Sequence, residues 1–128
     1  MKDILSTDKA PQAIGPYVQG VDTGSLMFLS GQLPICPEKG GIVAAEIEGQ
    51  TRQSLENVKA ILGSAGCSMD DVVKTTVFLK DIADFTKMNE VYAEFFSEGN
   101  YPARSAFQVA ALPKDALVEI EVVALKKK

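Results

Sequence analysis

The sequence predicts an α+β fold in the order β-β-α-β-α-β-β, one mixed sheet with two helices on one face. Three observations predict it. Apolar residues recur at helical spacing in two stretches, about 48–64 and from 84 toward Gly99. Segments of alternating or continuous apolar character lie before, between and after them, at about 17–21, 26–32, 71–80, 104–110 and 117–125. Glycine and proline fall between these segments. No internal repeat or linker divides the chain, so residues 1–128 are read as one domain.

Taken in order, residues 1–16 form an irregular or extended lead-in, because Pro11, Gly15 and Pro16 break any helix. A strand over 17–21, a "DTGS" turn at 22–25 and a strand "LMFLSGQ" at 26–32 make a hairpin. Residues 33–45, with Pro34, Pro37, Gly40 and Gly41, are loop. Leu55, Val58, Ile61, Leu62 and Ala65 then stripe the first helix, and Gly66 ends it. "DVVKTTVFLK" returns to a strand, with Val73, Thr75, Val77 and Leu79 on one face and Lys74, Thr76 and Phe78 on the other. Asp84 is placed to cap the second helix, whose stripe is Phe85, Met88, Tyr92, Phe95 and Phe96.

The last two strands raise a packing problem. In the final one, Val118, Ile120, Val122 and Ala124 alternate with Leu117, Glu119, Glu121, Val123 and Leu125, so both faces are substantially apolar. Two helices cover one face of such a sheet. The other face calls for a second copy of the chain, and a closed homo-oligomer is expected. The simpler alternative is a monomer with a few exposed valines.

Composition limits the chemistry. The chain is 46% hydrophobic and 23% charged, with a net charge of −4. An acidic protein of pI about 4.8 lacks the basic face that nonspecific nucleic-acid binding needs. Its one basic run, Lys126 to Lys128, reads as a solvated, frayed end. No apolar run approaches the roughly 20 residues of a membrane span, and no targeting segment is visible, so a cytoplasmic location is expected. Cys36 and Cys67 fit that compartment as free thiols. There is no histidine, which excludes histidine triads and histidine metal sites. Acid–base work falls to Glu, Asp, Lys, Tyr or Cys.

Three stretches could carry chemistry. In "YPARSAFQVAALPKDALVEIE", strand alternation groups Arg104 with Ala106 and Gln108, and Glu119 with Glu121, all away from the helix-facing core. The guanidinium can grip a carboxylate through two parallel hydrogen bonds. The competing reading is an ion pair of Arg104 with Glu119 or Glu121 across the sheet. In "FLSGQLP", Gly31 lets a ligand approach the backbone, with Ser30 and Gln32 beside it, or else it marks a strand-end bulge. In "AIGPYVQG", Pro16 stiffens the chain before Tyr17, whose ring and hydroxyl can close a pocket or simply pack.

Together with "RQSLENVKAIL" and "VVKTTVFLKDIADFTKMNEVY", these stretches occur in an order, over roughly residues 5–126, that closely resembles the RidA (YjgF) family of reactive intermediate imine/enamine deaminases. The resemblance implies a chorismate-mutase-like homotrimer with a central barrel, helices outside, and three clefts between subunits. It implies hydrolysis of 2-enamino and 2-imino acids, such as 2-aminoacrylate and 2-iminopropanoate, to 2-keto acids and ammonia. It further implies that no cofactor or metal is used, and a role in metabolite damage control.

By the same resemblance Arg104 is the carboxylate-binding arginine and Glu119 the glutamate that orients water. Tyr17, reaching the cleft from a neighbouring chain, lines the site with Ser30, Gly31, Asn89, Phe85 and the backbone of Ala106. Ala106 departs from the family pattern, which usually has cysteine there. Because water is the nucleophile, the thiol is not required, but Ala106 keeps open a non-catalytic reading, a ligand-binding, regulatory or chaperone-like trimer. An RNA-cleaving role, an older label of the family, is opposed by the acidic pI and the missing histidines.

Overall fold

The computed structural model describes residues 2–127. Its strands are β1 (Asp3–Leu5), β2 (Gly20–Asp22), β3 (Leu26–Gln32), β4 (Ile35–Cys36), β5 (Gly41–Ile42), β6 (Val72–Leu79), β7 (Ala103–Gln108) and β8 (Val118–Leu125). Its α-helices are α1 (Ile47–Ser64) and α2 (Phe85–Ala93). Six strands form one sheet in the order β1-β2-β3-β8-β6-β7, while β4 and β5 pair as a separate ribbon. All neighbours in the six-stranded sheet are antiparallel except β6 and β7. Those two are joined by the crossover through α2, and a crossover of that kind returns the chain in the same direction. The α+β architecture is therefore as predicted. The lead-in contributes the additional edge strand β1, and the second strand begins at Gly20, so Tyr17 lies before it rather than in it.

The core sits between α1, α2 and one face of the sheet. Leu55, Val58, Ile61 and Leu62 of α1 are fully buried against Met27 of β3, Val77 and Leu79 of β6, and Val118 and Ile120 of β8. Each such aliphatic side chain contributes about 1.5–3 kcal/mol by leaving water. Gly66 ends the helical segment with φ +74°. Two buried polar side chains of α1, Asn57 and Gln50, act on the loops instead. Asn57 donates to the carbonyls of Leu33 and Ile35 at 3.1 and 3.0 Å. Gln50 donates to Ala44 O and accepts from the Leu117 amide at 2.8 Å. These bonds fix the chain just after Gly31 and just before Glu119.

Four local expectations are corrected. Val73 is exposed, and Val72 takes the core position, because the β6–β8 register shifts between Val72 and Lys74. Asp84 makes no side-chain cap; Asp81 caps the preceding 3-10 turn by accepting from the Ala83 amide at 2.9 Å. α2 ends at Ala93, leaving Phe95 and Phe96 in the turns that follow it. The basic end is not frayed as far as it is described: Lys126 is half-buried and pairs with the buried Asp22 at 3.0 Å, and Lys127 reaches Asp71 at 3.6 Å. Lys128 lies outside the described residues.

The face of the sheet away from the helices carries Phe28, Phe78, Phe107, Glu119, Glu121, Val123 and Leu125. Phe28, Phe107 and Leu125 are 45–50% exposed. Phe78 and Phe107 meet edge to face, with centroids 5.6 Å apart. No α-helix among the described residues is long and apolar enough to cross a membrane.

Candidate functional site

Arg104 is on the opposite face from the one expected. β7 runs parallel to β6 with Arg104 beside Thr75, Ala106 beside Val77 and Gln108 beside Leu79. Thr75, Val77 and Leu79 are fully buried, so Arg104, Ala106 and Gln108 point to the helix side. The alternation was read correctly, but the face was not. β7 is an edge strand lying beneath the margin of α2, where positions on the core side need not be apolar. Gln108 accepts from the Ile82 amide at 2.9 Å and ties the strand end to the turn before α2. Ala106 is half-buried against the core.

The guanidinium of Arg104 is held by α2. Its Nη1 donates to Asn89 Oδ1, and its Cζ lies 5.3 Å from the Phe85 ring centroid and 4.7 Å from that of Tyr92. Phe85, Asn89 and Tyr92 are spaced i, i+4, i+7, so one stripe of a single helix supplies all three contacts. Arg104 also lines a cavity of about 470 Å³ with Asn89, Tyr92, Tyr101 and Pro102. Among the described residues no carboxylate pairs with it, and the ion pair with Glu119 or Glu121 does not form. The guanidinium retains donors for an incoming carboxylate.

Glu119 belongs to a second group of residues. Leu29 pairs with Val122 and Gln32 with Ile120, so Ser30 and Gly31 form a bulge in β3. A β-carbon placed on Gly31 would lie 2.7 Å from Glu119 Oε2 and 3.0 Å from its Cδ. The bulge reading of this glycine therefore holds, and its missing side chain leaves the space that the Glu119 carboxyl group fills. Burial, and next the charge of Glu121, push the Glu119 carboxyl above the ordinary glutamate value.

Tyr17 and Gly31 line a cavity of about 300 Å³ together with Gln19, Gln32 and Lys114. Tyr17 is exposed, and its hydroxyl accepts from the Ile14 amide at 3.4 Å. Ser30 directs its hydroxyl to the Val18 carbonyl at 2.6 Å, so it anchors the Tyr17 segment to β3. Lys114 and Asp115 both have left-handed backbones, with φ 56° and 55°, which is costly for residues with a β-carbon. A 2.6 Å bond from Lys80 to Asp115 holds that turn.

The predicted residues thus fall into two sets within one chain. Arg104, Asn89, Phe85 and Ala106 lie on the helix side of the edge strand. Tyr17, Ser30, Gly31 and Glu119 gather around the bulge of β3. Sequence reasoning missed Tyr92, Tyr101 and Lys114. The helical spacing of Tyr92 from Asn89 could have revealed it; nothing local announces a lysine with positive φ.

The Endoribonuclease L-PSP family matches residues 7–126. A 2-iminobutanoate/2-iminopropanoate deaminase of Salmonella typhimurium is 54% identical over 99% of this chain and 100% of its own. The crystal structure of Escherichia coli TdcF with bound serine superposes with a TM-score of 0.91 at 52% identity, covering 98% of this chain and 99% of TdcF. The YjgF gene product of Escherichia coli superposes at 0.92 with 51% identity, covering 98% and 99%.

Proposed function

This chain belongs to the Endoribonuclease L-PSP family, which includes RidA, YjgF and TdcF, and from that premise we propose that it is a cofactor-free hydrolase deaminating 2-imino and 2-enamino acids. The products are 2-keto acids and ammonia. The observation that carries this reading is Arg104: a guanidinium at a cavity wall, oriented by Asn89 and two aromatic rings, with no carboxylate paired to it among the described residues. Such a group recognises a small carboxylate through two parallel hydrogen bonds. The named activity of the Salmonella relative matches that substrate class.

The chain, read as a single domain over 1–128, acts in this proposal as one subunit of a cytoplasmic homotrimer with a chorismate-mutase-like central barrel. The exposed Phe28, Phe107 and Leu125 support burial of the open face against other copies. Separation of the two residue sets supports clefts between subunits, with Arg104 from one copy facing Tyr17, Gly31 and Glu119 from another.

The chemistry asks little of the protein. An enamine that takes a proton from solvent on its β-carbon becomes the protonated imine. The protonated imine carbon is already electrophilic, so water need not be strongly activated. Arg104 fixes the carboxylate and turns an encounter into an attack geometry. Glu119 takes a proton from water as the C–O bond forms, giving a carbinolamine. It returns that proton to nitrogen, and as the C–N bond breaks it takes up the hydroxyl proton, so that the keto acid and ammonia leave and the last proton passes to solvent. A glutamate with a raised pKa suits both transfers.

A second reading, a ligand-binding trimer with little turnover, draws on TdcF, whose crystal structure contains bound serine. Ala106, in the position where the family usually has cysteine, belongs to the same question. One assay decides between the readings. Purified protein is added to a serine or threonine dehydratase reaction, and decay of the released imine is followed. Faster decay in proportion to the protein added is expected; decay at the uncatalysed rate would leave the ligand-binding reading.

A further inference from the structure

We infer that Tyr92, anchored by Thr75, is a positioning residue that holds the Arg104 guanidinium in place and leaves hydrogen-bond donors open for the substrate carboxylate. This deepens the proposed function and rests on the carboxylate-clamp reading of Arg104.

The Tyr92 ring is the nearer of the two rings around Arg104, at 4.7 Å from Cζ. A cation–π contact holds a guanidinium against a ring with no hydrogen-bond acceptor involved, so its N–H donors are left for other partners. A carboxylate partner would have done the opposite, occupying the donors that the substrate needs. Asn89 engages one terminal nitrogen, Nη1. The ring therefore supplies the restraint that hydrogen bonds cannot supply without blocking the site.

Tyr92 is itself fixed. Its hydroxyl lies 2.7 Å from Thr75 Oγ1, with Tyr92 5% exposed and Thr75 fully buried. Thr75 is the residue that β6 places directly beside Arg104 of β7. The strand pair and the helix thus close a small loop of contacts, from Arg104 through Tyr92 to Thr75 and back across the sheet. The Tyr92 ring also packs on Phe96, with centroids 4.7 Å apart. Burial holds the phenol above its ordinary value even though Thr75 and Arg104 act against it, so the platform stays neutral at working pH.

A substrate-free measurement tests this. In protein labelled with nitrogen-15, NMR reads how fast the Arg104 guanidinium rotates about its Nε–Cζ bond. Tyr92→Leu is expected to speed that rotation roughly fivefold or more, as loss of a cation–π contact implies. It should raise KM for a 2-imino acid by a similar factor and lower kcat as well, because a looser guanidinium weakens binding and blurs the attack geometry. Thr75→Val keeps the shape and removes only the anchor hydroxyl. It should loosen Arg104 less than Tyr92→Leu does, and adding Tyr92→Phe to it should change nothing further, since both remove the same bond. Wild-type rotation and wild-type KM in folded Thr75→Val would overturn the inference, even where Tyr92→Leu does not fold. The two readings fail separately. Rotation that responds to Thr75 and Tyr92 in a protein with no imine turnover would sink only the deaminase. Imine turnover with rotation indifferent to both residues would sink only the platform.

Discussion

Arg104 and Glu119 stand on opposite faces of one sheet. Arg104 registers with buried Thr75 on the helix side, and Glu119 registers with Phe78 on the open side. One chain cannot direct both at a substrate through its own sheet. A site that uses both must draw them from two copies, which makes pairing between copies testable by complementation.

Arg104→Ala and Glu119→Gln should each be inactive alone. Co-assembled from a mixture of the two unfolded chains, they should recover up to about a quarter of wild-type activity, since mixed trimers regain one intact cleft of three. Light scattering should give about three times the 13.7 kDa chain mass. Two inactive variants that stay inactive after verified mixing would show that the residues do not act across subunits.

Gly31→Ala tests the other half of the site. The added β-carbon would lie 2.7 Å from the Glu119 carboxylate oxygen and 3.0–3.2 Å from the two carbons behind it. The end of a side chain can move aside, so the fold should survive with a melting temperature within a few degrees of wild type. The displaced carboxyl should cost on the order of a hundredfold in kcat, as misplacement by about 1 Å does. A folded variant with wild-type kcat would separate Glu119 from the chemistry.

The sequence made some of this legible and hid the rest for definable reasons. The two helices and the longer strands followed from apolar spacing, since α1 and β8 bury one regular set of side chains each; β1, β4 and β5, two or three residues long, fell in stretches read as lead-in and loop because they are too short to show a period. The face of Arg104 was misjudged because alternation along β7 fixes which residues group together, not which group meets the helix; the parallel pairing with β6 decides that. The bulge at Ser30 and Gly31 depends on a register with β8, 90 residues away in the chain, and no local pattern encodes it. The roles proposed for Arg104, Glu119 and Asn89 came from the family resemblance, since none of the three stretches is specific alone.

The raised Glu119 pKa fixes a sign for pH dependence. A base must be ionised, so activity should fall on acidification with a midpoint above the ordinary glutamate value of 4.5. The main cause is burial, and repulsion from Glu121 adds to it. Glu121→Gln removes that repulsion, makes ionisation easier, and should move the acid limb of kcat/KM to lower pH. An unmoved limb, or one displaced upward, would mean that another group controls it.

The sharpest test replaces the charged pair conservatively. Arg104→Lys keeps the positive charge but not the planar fork, so the two-point grip on a carboxylate is lost. Activity should fall on the order of a hundredfold or more, about 3 kcal/mol of transition-state positioning. Glu119→Gln should bind a 2-keto acid as wild type does, since Arg104 is intact, while turnover collapses for want of a base. Stability separates these losses from damage to the fold. A carboxyl with a raised folded-state pKa favours the native state below its unfolded value and loses that contribution as pH rises through the raised value. At neutral pH, therefore, Glu119→Gln should melt at or above the wild-type temperature, and that advantage should disappear in acid below about pH 4.5. Near-normal turnover in both folded variants would remove Arg104 and Glu119 from the site. Loss of turnover with unchanged or higher melting temperature would place the defect in the chemistry alone.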